Sequence, residues 1–507
     1  MRLDELIAAD TVGEGAAVEI TGLAYDSRRV RPGTLFFCVP GYRRDGHEFA
    51  AQAVRDGAVA LVVERSLGLG VPEVAVPSVR AAMGPVAARW HGDPTARLKV
   101  VGITGTNGKT TTAFLARALL EATGEQTGLL GTVTSIVGGE EQPVERTTPE
   151  AIDLQADFHA MLEGGDQACV MEVSSHALEL SRVDGIHFAV TIFTNLTQDH
   201  LDFHETMEDY FRAKRRLFTP APSVSVVNVG DEYGRRLAGE IDGVRTFAVE
   251  SDGRDRNAAV GADYRATDLR CDFGGCRFTL YTPAGEREVV LGLAGRFNVA
   301  NAVGALAAAH ALGGELDVLI AAVERGVRVP GRMETVDEGQ DFAVLVDYAH
   351  TPDSLKNVLG AARELTGTGA QVEGRVVCVF GAGGDRDRGK RPLMGEIGAR
   401  LADVLVVTSD NPRSEDPEAI IAEILAGAVG VRPRGAQPIE SIVDRKEAIL
   451  RAIQGARAGD VVVIAGKGHE QGQEFEDGRK LPFDDMSVAR DALRACMGTG
   501  ARAGASA

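Results

Sequence analysis

Short apolar runs recur along this chain, separated by stretches with helical spacing. Ala58-Val59-Ala60-Leu61-Val62-Val63 reads as a strand, and Ser78 to Trp90 as a helix. The helix closes near His91-Gly92-Asp93-Pro94, a cluster of turn residues that predicts a linker. From Lys99 the pattern changes. Val100 to Thr104 is a buried-type strand, followed by a glycine-rich turn and the helical stretch Thr110 to Ala122. Further apolar runs cover Ala168 to Val173, Phe188 to Phe193 and Val224 to Asn228, with helical patterns between them. This alternation predicts a parallel sheet wrapped by helices.

Residues 255 to 293 differ. Arg277-Phe278-Thr279-Leu280-Tyr281 alternates polar and apolar, flanked by Gly274-Gly275 and by Pro283 and Gly285, which predicts antiparallel hairpins. A boundary falls near Val329-Pro330-Gly331-Arg332. Beyond it Ala343 to Asp347, Val376 to Phe380, Val404 to Thr408 and Val461 to Ala465 read as strands with helices between. Gly498 to Ala507 is small and polar, and is expected to be disordered.

Composition narrows the class. The 507 residues suggest three domains at ~150 residues each. A net charge of -19 argues against a nucleic-acid binder, which needs surplus Lys and Arg. A phosphate ligand would have to be met by a local site. The six cysteines are scattered, and only Cys271 and Cys276 are close. No second pair gives zinc spacing, so reduced thiols in a cytosolic protein are expected. The N-terminus shows no signal-peptide pattern, and no apolar run approaches the ~20 residues that span a bilayer.

Gly105-Thr106-Asn107-Gly108-Lys109-Thr110 lies between a predicted strand and helix, where backbone N–H groups can hold phosphate oxygens. Lys109 would reach the outer phosphates and Thr110 would bind Mg²⁺. The strict eight-residue loop pattern is not met, because its first glycine would fall at Ile103. Glu172, ending another strand, suits a hard cation. His200, in Thr194 to Asp202, reads alone as a solvated loop residue. Lys214 falls on the apolar helical stripe of Met207, Tyr210, Phe211, Leu217 and Phe218. Periodicity alone predicts that it snorkels. A buried lysine would instead have a depressed pKa, and its neutral amine could react with CO₂ to form a carbamate.

Other motifs are weaker taken alone. Tyr25-Asp26-Ser27-Arg28, Pro32 to Phe36 and Gly41 to His47 are turn residues around a strand, and Arg146 to Glu150 reads as a helix N-cap. Gly295 to Asn301 opens a helix predicted over Ala302 to Leu312, while Gly331 to Glu334 and Asp347 to Asp353 carry turn and cap residues. Gly383 to Arg391, Asp410 to Arg413 and Gly466 to Glu470 each follow a predicted parallel strand, at the sheet edge where open α/β sheets bind ligands. Arg386 and Arg413 can each hold a carboxylate in a bidentate fork, and Glu470 can hold an ammonium.

The run Thr104-Gly105-Thr106-Asn107-Gly108-Lys109-Thr110-Thr111 resembles the Mur ligase family and the related folylpolyglutamate synthetases, and the other motifs extend the resemblance over nearly the whole chain. The fold then expected is α/β in three domains. These are a small N-terminal domain over 1–97, a central P-loop parallel-sheet ATPase domain with an antiparallel β extension over 98–330, and a Rossmann-like C-terminal domain over 331–495. A disordered tail would cover 496–507.

The resemblance implies an ATP-dependent acid–amino-acid ligase of peptidoglycan precursor biosynthesis. It would add meso-diaminopimelate to the D-glutamyl γ-carboxylate of UDP-MurNAc-L-Ala-D-Glu through an acyl phosphate. ATP would be bound by Gly105, Thr106, Asn107, Gly108, Lys109, Thr110 and Thr111, with Asn298 on the adenine side and Arg332, Asp347 and His350 closing from the last domain. Mg²⁺ would be held by Thr110, Glu172, His200 and Lys214, the last as N6-carboxylysine, and Lys109, Lys214, His200 and Glu172 would be catalytic. Ser27, Tyr42, Arg43, Arg44, Thr147, Thr148, Ser174 and Arg182 would bind the UDP-muropeptide; Leu180 departs from the polar residue of some members. Arg386, Asp410, Asn411, Pro412, Arg413, Gly466 and Glu470 would bind diaminopimelate, of which Asp-Asn-Pro-Arg is the marker. A cytoplasmic monomer with small-molecule substrates and no nucleic-acid partner is expected. Alternatives are L-lysine as the amino acid, a folylpolyglutamate synthetase-like ligase, or a P-loop kinase.

Overall fold

The computed structural model describes residues 1–7, 17–41, 44–219, 223–250, 261–366, 374–431 and 437–503. The first unit is a four-stranded parallel sheet of β1 (Gly22–Ala24), β2 (Thr34–Phe37), β3 (Ala58–Val63) and β4 (Glu73–Ala75), paired in that order. Successive side chains leave a strand on opposite faces. Leu35, Phe37, Ala60 and Val62 therefore pack against the helix Val79–Trp90, while Phe36, Leu61 and Val63 cover the helix Ala50–Arg55.

The second unit is an eleven-stranded mixed sheet among the described residues. Its strands are β5 (Lys99–Thr104), β6 (Thr127–Leu130), β7 (Ser135–Val137), β8 (Glu140–Gln142), β9 (Ala168–Glu172), β10 (Phe188–Phe193), β11 (Val224–Asn228), β12 (Arg245–Val249), β13 (Tyr264–Asp272), β14 (Gly275–Thr282) and β15 (Gly285–Leu291). They pair in the order β15-β14-β13-β12-β11-β10-β5-β9-β6-β7-β8. β5 thus lies between β9 and β10, parallel to both, so the segments leaving the C-terminal ends of these three strands meet. Val101 and Ile103 face the helices Lys109–Ala122 and Arg296–Ala311, and Val100 faces the core with Phe158, Tyr210 and Phe211.

The third unit holds β16 (Glu334–Thr335), β17 (Ala343–Asp347), β18 (Val376–Phe380), β19 (Val404–Thr408), β20 (Glu440–Ile442) and β21 (Val461–Ala465), ordered β16-β17-β21-β18-β19-β20. All pairings from β17 to β20 are parallel. The α/β class expected from the strand–helix alternation is the one that forms.

Four local expectations are corrected. Cys271 and Cys276 are not separate thiols: β13 and β14 pair them directly opposite, with Cα atoms 4.1 Å apart, and they form a disulfide. Spacing in sequence could not show this, because hairpin register makes the contact. Residues 255–260 of the expected hairpin region lie outside the described residues. The helix after Gly295 begins at Arg296, not at Ala302. The last helix, Asp485–Ala503, runs through residues expected to be disordered; Ala492 and Leu493 anchor it in the core, and 504–507 lie outside the described residues. Finally, Thr147 and Thr148 do not cap the helix Ala151–Glu163, whose N-cap position is Glu150 without a side-chain cap bond.

Candidate active site

β5 ends at Thr104, and the phosphate loop turns from it into the helix Lys109–Ala122. Two glycines make that turn possible. Gly105 has φ 156°, and a Cβ there would lie 1.8 Å from Thr194 Oγ1. Gly108 has φ 86°, and a Cβ would lie 2.3 Å from Asn301 Oδ1. The segment after β10 clamps the loop: Thr106 N donates to Asn195 O, and Asn107 N to Asn195 Oδ1, each at 2.9 Å. Thr194 Oγ1 donates to Asn107 O at 2.7 Å.

Lys109 Nζ donates to Gly105 O and Thr106 O, both at 2.9 Å. Its pKa is lowered, first by burial. Thr110 Oγ1 donates to Glu172 Oε2 at 3.1 Å, and the same carboxylate accepts from Thr132 N at 2.9 Å and Thr132 Oγ1 at 3.1 Å. Glu172 is 1% exposed. Two oxygen donors meeting beside a phosphate loop suit Mg²⁺, which takes one or two protein oxygens and completes its shell with phosphates and water. Among the described residues no group of three or more His, Cys, Asp or Glu could hold a metal ion by itself.

Lys214 does not snorkel. It is 1% exposed, its Nζ donates to Gly105 O at 2.9 Å, and it lies 4.6 Å from the Tyr210 ring centroid. Tyr210, Phe211, Leu217 and Phe218 are buried with it on the apolar stripe, which holds Lys214 away from water while Arg212 and Arg215 face out. Burial, and then Lys109, push the Lys214 pKa well below its ordinary value. His200 has a left-handed backbone, φ 56°, and its ring centroid is 5.0 Å from that of His176 and 6.1 Å from that of Tyr210. Burial pushes its pKa down to about 3 against the opposing pull of Asp199, so a neutral imidazole faces the loop.

A cavity of about 610 Å³ unites the loop with the C-terminal unit. It is lined by Thr106, Asn107, Gly108, Lys109, Thr110, Thr147, Thr148, Glu172, Ser174, Arg182 and His200, and by Arg332, His350 and Arg386 from the C-terminal unit. Thr148 Oγ1 donates to Glu172 O at 2.9 Å and accepts from Ser174 N at 3.1 Å. Arg182 pairs with Glu150 at 2.9 Å. Thr147 also lines a second cavity, about 250 Å³, with Tyr25 and Arg29 of the N-terminal unit and with Asp153 and Asp157. There Tyr25 donates its hydroxyl to Asp153 at 2.6 Å. Ser27 is half-buried in the turn Ser27–Arg29, and Arg44 is exposed with its guanidinium 5.8 Å from the Phe49 ring centroid. Neither lines the large cavity, and Tyr42 and Arg43 lie outside the described residues.

A third cavity, about 270 Å³, is lined by Asn107, Gly108, Thr111, Phe297, Asn301, Arg332 and Asp347. Asn298 stands behind it, 1% exposed, donating to Ala294 O at 2.8 Å and accepting from Asn301 at 3.1 Å. The wall on this side is made by Phe297 and Asn301, which sequence reasoning passed over. Asp347 accepts from Met333 N at 2.8 Å, and burial raises its pKa. Arg332 donates to Thr110 Oγ1 at 3.1 Å, and Asn107 to Asp353 at 2.9 Å, so the third unit is closed on the loop.

On the third sheet, Lys467 is the residue that sequence reasoning left without a role. It is 0% exposed and donates to Asp410 at 3.2 Å, Asn411 at 2.9 Å and Glu470 at 2.9 Å. Asn411 also donates to Glu470 at 2.8 Å. Asp410, Asn411 and Glu470 therefore gather around an internal ammonium, with Gly466 beside Asp410. Pro412 is buried. Arg413 is engaged by Glu474 at 3.0 Å and Gly384 O at 2.7 Å, whereas Arg386 bonds its own Asp385 carbonyl at 3.0 Å and lines the large cavity.

A phosphate loop on the central strand, its Lys and Thr, a buried carboxylate beside them and a domain closed over the loop define a nucleotide-dependent P-loop enzyme. Comparison with known proteins narrows this. Residues 19–91 match the model described as Mur ligase family, catalytic domain, residues 103–309 the Mur ligase middle domain, and residues 331–468 the Mur ligase glutamate ligase domain. The chain is 46% identical over 482 residues to a UDP-N-acetylmuramoyl-L-alanyl-D-glutamate–2,6-diaminopimelate ligase of Syntrophomonas wolfei, covering 94% of this chain and 95% of that one. It is 46% identical over 501 residues to the protein of the same name from Streptomyces coelicolor, covering 97% and 96%. A solved structure of a ligase with that name superposes with TM-score 0.68 at 33% identity, covering 98% of this chain and 99% of that one. The chain belongs to the Mur ligase family.

Proposed function

We propose that this enzyme joins meso-diaminopimelate to the D-glutamyl γ-carboxylate of UDP-MurNAc-L-Ala-D-Glu at the expense of ATP. The supporting observation is one cavity in which Lys109 and Glu172 meet Thr147, Thr148 and Arg182 on one side and Arg386 on the other, with Lys214 bonded to Gly105 of the phosphate loop beside it. Such a cavity brings a phosphoryl donor, a carboxylate and an amine within reach of one another, the condition for converting separate encounters into one oriented reaction.

Lys109 would leave its loop carbonyls for the outer phosphates of ATP. Mg²⁺, when bound, would supply charge neutralisation on the transferring phosphoryl group, held by Thr110 and Glu172 with His200 and the carbamate of Lys214 alongside. The γ-carboxylate, oriented by Thr147, Thr148, Ser174 and Arg182, would attack the γ-phosphorus of ATP, with ADP as the leaving group. The neutral amine would then attack the acyl carbon, and the tetrahedral intermediate would lose a proton and expel phosphate to leave the amide. Arg332, Asp347 and His350 would close on ATP from the C-terminal unit, excluding the water that would hydrolyse the intermediate. Diaminopimelate would be held by Arg386 and Arg413 on its far carboxylate and by Asp410, Asn411 and Glu470 on its far ammonium, with Gly466 and Pro412 shaping the wall. Ser27, Tyr42, Arg43 and Arg44 would take the nucleotide sugar. No helix among the described residues is long and apolar enough to cross a membrane, and a cytoplasmic monomer is the proposed setting.

Phosphate release from ATP, measured with the UDP-dipeptide plus diaminopimelate, lysine or no amino acid, tests this reading. Release is expected with diaminopimelate alone. Release with lysine and none with diaminopimelate overturns the specificity, and release without amine points to a kinase or hydrolase.

A further inference from the structure

Asp199 and Lys390 are 191 positions apart in the chain, yet Lys390 Nζ donates to Asp199 Oδ1 at 3.2 Å. Their side chains are 5% and 6% exposed. Asp199 belongs to the segment after β10 that clamps the phosphate loop. Lys390 opens the helix Lys390–Leu401 of the C-terminal unit, immediately after the loop that carries Arg386. The pair therefore bridges two units at the base of the large cavity.

The placement of Lys390 is costly for its own unit. A helix N-terminus carries partial positive charge and disfavours a cation. The first turn here contains Lys390 and Arg391 and no acidic residue. Arg391 finds compensation at home, through Glu415 at 2.7 Å and Glu423 at 2.8 Å. Among the described residues Lys390 finds its carboxylate across the gap, in Asp199. Asp199 in turn lies 3.4 Å from His200 and 3.8 Å from His350, the latter again from the C-terminal unit. Separation of the units would take the ammonium from its carboxylate and leave Asp199 with His200 of its own unit, so the pair favours the closed arrangement. The two loops also run close together: a Cβ added at Gly389 would lie 3.7 Å from Gln198 Nε2.

We propose that Asp199 and Lys390 are positioning residues, a latch that seats the Gly383–Lys390 loop, and with it Arg386, over the phosphate loop when the C-terminal unit closes. Asp199 lines the large cavity and Lys390 lies behind it; the pair acts through Arg386 and through the closed state. The inference rests on the reading of Arg386 as a holder of the incoming amino acid's carboxylate.

The test uses the full-length enzyme and the variants Lys390→Met, Lys390→Arg and Asp199→Asn. Phosphate release is measured with diaminopimelate and ATP varied separately. Small-angle scattering is measured with a non-hydrolysable ATP analogue and the UDP-dipeptide. Lys390→Met is expected to lower kcat/KM for the amino acid by between roughly 5- and 150-fold, the range of ordinary coupling energies, to leave the KM for ATP nearly unchanged, and to shift the liganded enzyme toward a larger radius of gyration. Lys390→Arg is expected to restore most of the loss, which a merely structural role would not predict for a longer side chain in a packed site. Parental kcat/KM and radius in Lys390→Met overturn the latch, as does equal impairment of the Met and Arg variants. If Lys390→Met does not fold, Asp199→Asn makes the same comparison from the other side. If the parent enzyme shows no amine-dependent release, the functional reading fails, while the scattering still decides the latch.

Discussion

The side-chain nitrogen of Lys214 lies 2.9 Å from the carbonyl oxygen of Gly105, joining a buried lysine to the first residue of the phosphate loop. Its depressed pKa leaves a neutral amine available to CO₂ beside the phosphoryl-transfer site. Lys214→Ala is expected to lower kcat by about 10²–10³-fold, as loss of one charge-stabilising group does. Added short carboxylates should restore part of that loss by occupying the space of the carbamate. Steady-state phosphate release decides it, and parental activity of Lys214→Ala without any carboxylate would remove the carbamate from the mechanism.

Glu172 and Thr110 share a hydrogen bond at the place proposed for Mg²⁺. Chelation should stop turnover reversibly. Glu172→Gln keeps the hydrogen-bonding shape but loses the charge, so the Mg²⁺ concentration for half-maximal rate should rise by about tenfold or more, since hard cations are selected by anionic oxygen. A Mg²⁺ titration of both proteins provides the comparison.

Lys467 is an ammonium placed inside the pocket proposed for a substrate ammonium. With Asp410 and Glu470 it leaves one net negative charge, which matches one ammonium of the incoming amino acid. Lys467→Met should raise the KM for diaminopimelate while the KM for ATP holds. It should also destabilise the protein by about 3–5 kcal/mol, because buried Asp410 loses its paired charge. Kinetics with each substrate varied, and denaturant unfolding, read the two effects separately.

Asp157, beside Asp153 in the cavity shared by the first two units, has its pKa pushed up to about 7 by burial and then by Asp153. A carboxyl whose folded pKa is raised binds more protons folded than unfolded, so its contribution is full below the unfolded value and is lost as pH rises through about 7. Asp157→Asn should therefore raise the melting temperature more at pH 8 than at pH 5. Equal shifts at the two pH values would show that Asp157 ionises freely.

The strands of the second and third sheets were legible because parallel strands covered on both faces are nearly continuous apolar runs, as Lys99–Thr104 and Val461–Ala465 show. The phosphate loop was legible because its chemistry is local: its glycines, Lys109 and Thr110 are consecutive. Lys214 was visible only as an anomaly on an apolar stripe. The setting of Asn298 is not legible in the sequence: its side chain bonds Ala294 O and Asn301, contacts that the start of the helix Arg296–Ala311 decides.

By itself the sequence determined the elements, their α/β class, the phosphate loop and the charged motifs at three strand ends, all set by contacts within a few residues or by a residue's choice between core and water. Only the tertiary structure decided that Lys467 fills its own acidic pocket, that Cys271 meets Cys276, and that Asp199 finds Lys390 across two units. Those pairings depend on strand register and domain closure, where the energy of a charge or a thiol is fixed by a partner that sequence distance does not reveal.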